Sequence, residues 1–132
     1  MNLFDSFSCR PLQTLTIPPS IEFIEGWCAN LPNLTHLKIT NKNRNFSYVD
    51  NQFLVGKSDT CNPLLFSNRD IECPIVPSFI KGISTFSFTD CRRLKSIEFS
   101  LDPQLETIDE GAFCGSSIER LTIPKNFKKF KE

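Results

Sequence analysis

The sequence predicts a solenoid, mostly β or of the α/β type, in which short strands from successive repeats stack into a parallel sheet. Three observations predict it. A short apolar phrase recurs along the 132 residues, its spacing is 22 to 24 residues, and its apolar positions alternate with polar ones. A phrase repeated at such a period is typical of a solenoid. We therefore expect about four to five repeats and one inserted β-hairpin.

The repeated phrase is a leucine or isoleucine followed by further residues, mostly apolar, three and five positions later. Four clear copies begin at Leu12, Leu34, Leu94 and Ile118, and a weaker copy begins at Ile71. The step is 22 residues from Leu12 to Leu34, 23 from Ile71 to Leu94 and 24 from Leu94 to Ile118. This drift indicates that the return segments between the strands differ in length.

Each clear phrase alternates between apolar and polar residues, as a half-buried strand does. The residues expected to face the core are Leu15, Ile17, Leu37, Ile39, Ile97, Phe99, Leu121 and Ile123. Their polar neighbours, which we call the exposed strand face, are Thr14, Thr16, His36, Lys38, Ser96, Glu98, Arg120 and Thr122. Stacking the strands in register predicts one parallel sheet with one face in water.

After the strand, three repeats run through a proline (Pro18, Pro77 and Pro124) into a second pair of apolar residues. Proline fixes φ and lacks a backbone donor, so it ends the strand and begins a turn. The apolar pairs are Ile21 with Ile24, Ile80 with Ile83, and Phe127 with Phe130.

Six cysteines raise the question of metal sites and disulfides: Cys9, Cys28, Cys61, Cys73, Cys91 and Cys114. None forms a C-x-x-C pair and His36 is the single histidine, so we expect no zinc site. Cys9, Cys91 and Leu31 share one position three residues before a phrase, and a position that accepts leucine is a packing position. We therefore favour free, buried thiols; a disulfide framework in an oxidising compartment is the alternative.

Residues 41–70 break the period. Residues 46–49 and 52–55 flank Asp50-Asn51, a pair suited to a tight hairpin turn, and residues 63–67 predict a third short strand. We interpret 41–70 as an inserted hairpin module that projects from a single solenoid domain over residues 1–132. We expect that domain to be part of a longer array.

With these residues in place, the chain resembles the BspA-like (Treponema pallidum-type) leucine-rich repeat family, which occurs in bacterial surface proteins and is expanded in trichomonads. The matching segments are LQTLTIPPSIEFIEGWC, PIVPSFIKGISTFSFTDC and LETIDEGAFCGSSIERLTIP. The chain departs from the family phrase at Pro74, and at Ser87-Phe88 and Trp27-Cys28, where the family has Ala-Phe. The resemblance implies a leucine-rich-repeat solenoid that binds proteins or surfaces, adhesion to host or matrix, and no catalytic residues.

Composition and motifs exclude several functional classes. The 15 Lys and Arg balance the 15 Asp and Glu, so no general attraction to nucleic acid or an anionic membrane is expected. No apolar run is long enough to span a bilayer, and the opening residues, with Asp5, do not form a signal peptide. The chain therefore stays inside the cell, leaves by another route or lacks its natural start. No nucleotide, calcium or nucleophile motif is present, so we expect neither an enzyme nor a cofactor.

The exposed strand face is the first candidate binding surface, and the insertion around Tyr48, Phe53 and Lys57 is the second. The expected partner is a protein, such as a host or matrix protein, or a cell-surface glycan. The alternatives are a face that is merely solvated, and an intracellular scaffold or degenerate paralogue without a dedicated ligand. Two glycosylation sequons begin at Asn33 and Asn45 and matter only on a secretory route. No polar cap is visible at either end, so we also expect self-association through the ends.

Overall fold

In the computed structural model, which describes residues 10–22, 24, 28–57 and 62–131, the chain winds through short strands joined by turns. These residues contain no helix. The strands are β1 (Thr14–Ile17), β2 (His36–Ile39), β3 (Phe46–Val49), β4 (Phe53–Gly56), β5 (Pro63–Ser67), β6 (Ile75–Val76), β7 (Gly82–Ile83), β8 (Ser96–Phe99), β9 (Thr107–Asp109), β10 (Arg120–Leu121) and β11 (Lys129–Lys131). The predicted solenoid of stacked parallel strands is confirmed.

Every predicted phrase contains a strand: β1, β2, β6, β8 and β10. They pair in parallel with the expected register, so that Leu15 lies beside Leu37 and Ile97 beside Leu121. The prediction of one continuous sheet is wrong, however. The phrase strands form two sheets, β1–β2 and β6–β8–β10, and the insertion separates β2 from β6.

The return segments supply a second sheet that the sequence did not reveal. Its order is β11-β9-β7-β5-β4-β3, and the repeat strands β7, β9 and β11 pair in parallel. Ile83 and Phe130, both from predicted apolar pairs, lie in this sheet. Strands β7, β9 and β11 were not predicted because they are two or three residues long, which is too short for an alternation to be recognised.

The insertion continues this second sheet instead of projecting from it. The β3–β4 hairpin turns through Asp50 and Asn51, whose φ values of 54° and 56° match the tight turn expected from their sequence. β5 then pairs antiparallel with β4 and parallel with β7. Because two reversals restore the original chain direction, the solenoid resumes in parallel after the insertion.

The inserted strand β4 also joins the two halves of the core. Neighbouring side chains of a strand point to opposite faces. Phe53 and Val55 pack with the core beneath β6 and β8, whereas Leu54 packs with the core beneath β1 and β2. All four residues of β4 are buried, so this strand has no wet face.

Arg69, two residues after β5, is a buried cation that no sequence pattern predicts; it is 3% exposed. Its guanidinium lies 4.8 Å from the centre of the Phe66 ring and donates to five backbone carbonyls. The acceptors are the carbonyl oxygens of Cys28 (2.7 Å), Ser87 (3.0 Å), Leu31 (3.3 Å), Ser67 and Phe86 (both 3.4 Å). One side chain thus links the backbone of three successive chain turns.

The packing predictions hold with two exceptions. Cys91 and Leu31 are both buried, as expected for a shared packing position, and Cys28 is buried as well. Cys73 and Cys114 are exposed, which contradicts the expectation of buried thiols; all four are free. Cys9, Cys61 and Trp27 lie outside the described residues. Ile123 is exposed rather than inward-facing, because it lies just beyond β10, an edge strand with a neighbour on one side.

Candidate functional site

A groove of about 520 Å³ runs along β2, between that strand and the inserted hairpin. We call it the β2 groove. Its lining residues are Thr16, His36, Leu37, Lys38, Ile39, Thr40, Asn41, Phe46, Ser47, Tyr48, Asn51 and Lys57. The two candidate surfaces predicted from the sequence therefore meet, because three residues of the exposed strand face lie opposite Tyr48 and Lys57 of the insertion.

Strand register positions the first side of the groove. Thr16 on β1 lies beside Lys38 on β2, and Thr14 lies beside His36. Thr14, Thr16 and Lys38 are exposed, and His36 is half-buried because its ring packs edge-on against Tyr48, with the ring centres 5.8 Å apart. The alternation that sends Leu37 into the core is what directs these polar side chains outward.

The hairpin side is held by hydrogen bonds. The Tyr48 hydroxyl donates to the side-chain oxygen of Asn68, and the Asn68 amide donates to the Asn51 carbonyl at 2.9 Å. Burial raises the pKa of Tyr48, with hydrogen bonding by the Leu37 backbone opposing the shift. Tyr48 therefore remains a neutral phenol and a hydrogen-bond donor at physiological pH.

Lys57 closes the end of the groove. Its ammonium donates to the Asn43 carbonyl at 3.0 Å, and its backbone N–H donates to the Asn45 carbonyl at 2.8 Å. Asn43 is buried, and its side-chain oxygen accepts from the backbone of Asn45 and Phe46. The lysine is thus anchored through the turn that leads into β3.

The charge of the groove is one-sided. Lys38 and Lys57 line it, and no carboxylate is among its lining residues. The chain as a whole has a net charge of zero, so this local excess of cations is not a consequence of overall composition. A concave surface of this kind attracts anionic groups.

The other half of the exposed strand face lies apart from the groove. Ser96, Glu98, Arg120 and Thr122 are on or next to β8 and β10, where Arg120 pairs with Ser96 and Glu98 pairs with Ile75. Glu98, Arg120 and Thr122 are exposed and Ser96 is half-buried. The eight residues thus form two patches, since the sheet is interrupted between β2 and β6.

The structure removes one predicted residue from the candidate binding site and adds three that were not predicted. Phe53 is fully buried in the core and cannot contact a ligand. Asn41, Ser47 and Asn51 line the groove but were not predicted. Asn51 belongs to the tight turn recognised from the sequence, but nothing local shows that this turn faces β2.

The two sequon asparagines are both engaged in contacts between repeats. Asn33 is exposed and its amide donates to the Arg10 carbonyl. Asn45 is half-buried and its amide donates to the Ile21 carbonyl at 3.3 Å. N-glycosylation replaces one of the two amide protons and leaves the other able to donate, and Asn33 is the more accessible of the two asparagines.

The described part of the chain holds no group of three or more His, Cys, Asp or Glu side chains that could bind a metal ion. Over the same residues, no helix has the length and apolar character needed to cross a membrane. Another concave surface, of about 480 Å³, is lined by Asp109, Glu110 and Lys131 among others.

Comparison with known proteins agrees with this geometry. The family model for the BspA type leucine rich repeat region matches six copies, over residues 4–53 and 54–132. A comparison with curated proteins finds no match. The crystal structure of the pneumococcal vaccine antigen PcpA has a TM-score of 0.75 and 25% sequence identity, covering 88% of this chain and 28% of that one.

A leucine rich cell surface protein from Faecalibacterium prausnitzii A2-165 has 16% identity and a TM-score of 0.39, covering 92% of this chain and 41% of that one. The present chain therefore spans less than half the length of either solved chain. With a family model that matches nearly the whole sequence and a fold of stacked parallel strands, the chain belongs to the BspA type leucine rich repeat family.

Proposed function

We propose that this chain is a non-catalytic, protein-binding repeat module of the surface-antigen type, and that the β2 groove is its binding site. The observation that carries the proposal is the meeting of Thr16, His36 and Lys38 with Tyr48 and Lys57 in one concave surface. Solenoids commonly use such surfaces to bind partners.

The surface-antigen type is supported by the likeness to PcpA, which is described as a vaccine antigen. Since this chain spans 28% of that protein, the likeness covers the repeat region alone. The proposed partner is a host or matrix protein, or a cell-surface glycan, and the proposed location is the cell surface or the secreted fraction.

The experiment is to label the tagged protein in intact and in permeabilised cells, and to measure binding of the purified protein to host cells and matrix proteins. Labelling of intact cells together with saturable binding would support the proposal. Labelling only after permeabilisation would contradict the adhesion role. If intact cells are labelled, the groove is tested by a Lys38→Glu, Lys57→Glu variant, which should bind less.

A second candidate is an intracellular scaffold of the same fold. Four described cysteines are free thiols, two of them exposed, which is common in a reducing compartment. Under this candidate the protein is labelled only in permeabilised cells, and Asn33 and Asn45 carry no glycan.

A further inference from the structure

The stack of phrase strands has a vacancy beside β2. Among the described strands, β2 pairs with β1 alone and β6 pairs with β8 alone, so both strands are edges of their sheets. In an uninterrupted solenoid these two strands would be neighbours. Here the chain between them is diverted through β3, β4 and β5, and the β2 groove lies between β2 and the inserted hairpin.

The backbone of β2 presents hydrogen-bonding groups toward this vacancy. The N–H of His36 donates to the Gln13 carbonyl, on the β1 side, at 3.2 Å. In a parallel pair, alternate residues face the neighbouring strand. The next residue, Leu37, accordingly hydrogen-bonds Tyr48 on the opposite side. Ile39 is two residues further along and faces the same way as Leu37.

The protein fills only part of the vacancy with its own groups. The Arg69 N–H donates to the Leu34 carbonyl at 2.9 Å, just before β2 begins, and Tyr48 reaches Leu37. Beyond Leu37 the edge borders the open groove, which contains Ile39, Thr40 and Asn41. Half-buried Ile39 lines the groove together with Lys38 and Lys57.

We propose that the β2 groove binds an extended acidic segment of a partner protein, which adds to β2 as a strand. This inference rests on the proposed binding function and names the class of partner and the mode of binding. The free edge supplies N–H and C=O groups for main-chain hydrogen bonds, as in other strand-addition complexes. Lys38 and Lys57 supply charge complementarity for alternating acidic side chains.

A peptide fits these features better than an anionic glycan does. A glycan could pair with the lysines but has no regular alternation of N–H and C=O groups to match a strand edge. The part of the edge that borders the open groove begins beyond Leu37 and continues through Ile39, Thr40 and Asn41, which suits a short segment.

The test measures fluorescence anisotropy of the purified protein with a labelled peptide of alternating Glu and Val residues. We expect saturable binding that weakens with added salt and falls roughly tenfold or more in a Lys38→Glu, Lys57→Glu variant. The matched control is Lys95→Glu, Lys125→Glu, which makes the same charge change at exposed positions outside the groove. Circular dichroism should show that both variants remain folded.

A pair of N-methylated peptides isolates the mode of binding. One is methylated at the Glu residues and the other at the Val residues, so both keep their charge but each loses the donors on one edge, and one of the two should lose its binding. Equal binding of both methylated peptides, or a loss in the control variant as large as in the groove variant, would overturn the inference. Tighter binding of a heparin oligosaccharide that displaces the peptide would identify a polyanion site instead. If no peptide binds while host cells do, the inference fails and the adhesion proposal stands.

Discussion

The hydroxyl of Tyr48 donates a hydrogen bond to the side-chain oxygen of Asn68, a residue 20 positions later in the chain. Tyr48 lies on β3 and Asn68 directly follows β5, so the bond joins the first and last strands of the insertion across β4. It also fixes Tyr48 against His36 and Leu37. The wall of the β2 groove therefore depends on a polar contact between the two ends of the inserted segment.

Replacing this hydroxyl should destabilise the fold. Tyr48→Phe keeps the ring but leaves the buried Asn68 oxygen without its donor, and we expect the free energy of unfolding to fall by about 1–2 kcal/mol. Urea unfolding of Tyr48→Phe, Asn68→Ala and the double variant measures the coupling. If the two single effects simply add, the bond is not a stabilising contact.

Arg69 should be among the most sensitive positions in the chain. Arg69→Met removes the hydrogen bonds that the guanidinium donates to five carbonyls, those of Cys28 and Ser87 among them, so we expect a loss of about 2–4 kcal/mol in the free energy of unfolding. Arg69→Lys should also be destabilising, because one ammonium cannot reproduce the forked guanidinium. Exposed Arg92→Met is the control and should change stability by no more than about 0.5 kcal/mol. Equal effects at the two positions would contradict a bridging role for Arg69.

Stability should decrease at alkaline pH through the buried thiol of Cys91. Burial raises the pKa of Cys91 from 9.0 to about 11, so the unfolded chain loses this proton first as the pH rises. The thiol's contribution is therefore complete below about pH 9 and is lost progressively toward about pH 11. Unfolding measured across this window should show a smaller decrease for Cys91→Val than for the unmodified protein. Exposed Cys114→Val is the control, and an identical decrease in both variants would exclude Cys91 as the cause.

Two glycines with the same backbone conformation should differ in their tolerance of a side chain. Gly111 and Gly115 both have φ of 74°, so alanine costs about 1–2 kcal/mol in strain at either. At Gly115 a Cβ atom would also lie 2.7 Å from the Asp90 Oδ1 atom, whereas at Gly111 the nearest atom is 3.6 Å away. Thermal unfolding should therefore show a lower midpoint for Gly115→Ala than for Gly111→Ala. Matching midpoints would mean that Asp90 moves aside at no cost.

Strand β11 is a predicted site of self-association. It is an edge strand of the second sheet, and Phe130 on it is 61% exposed. Exposed, partly apolar edges favour pairing with another chain. Sedimentation should show concentration-dependent association that Phe130→Lys reduces. Leu101→Lys removes an even more exposed apolar side chain (88%) from a loop and should leave association unchanged. A strictly monomeric protein at high concentration would refute the prediction.

The sequence by itself determined the repeat period, the phrase strands and most of the core. The alternation from Leu34 to Ile39 and the turn at Asp50-Asn51 depend on local geometry, in which a strand has a period of two and a tight turn needs positive φ. Such information is local in the chain, so a single sequence reveals it.

Only the tertiary structure decided which strands are neighbours and where a binding surface lies. The burial of both faces of β4, the position of Arg69 beneath three chain turns and the meeting of Lys38 with Lys57 all depend on contacts between distant segments. Periodicity shows which face of a strand is apolar, but it does not show which edge finds a partner. The insertion separates β2 from β6 and leaves one edge of β2 beside the groove. The repeat alone could not have predicted this arrangement.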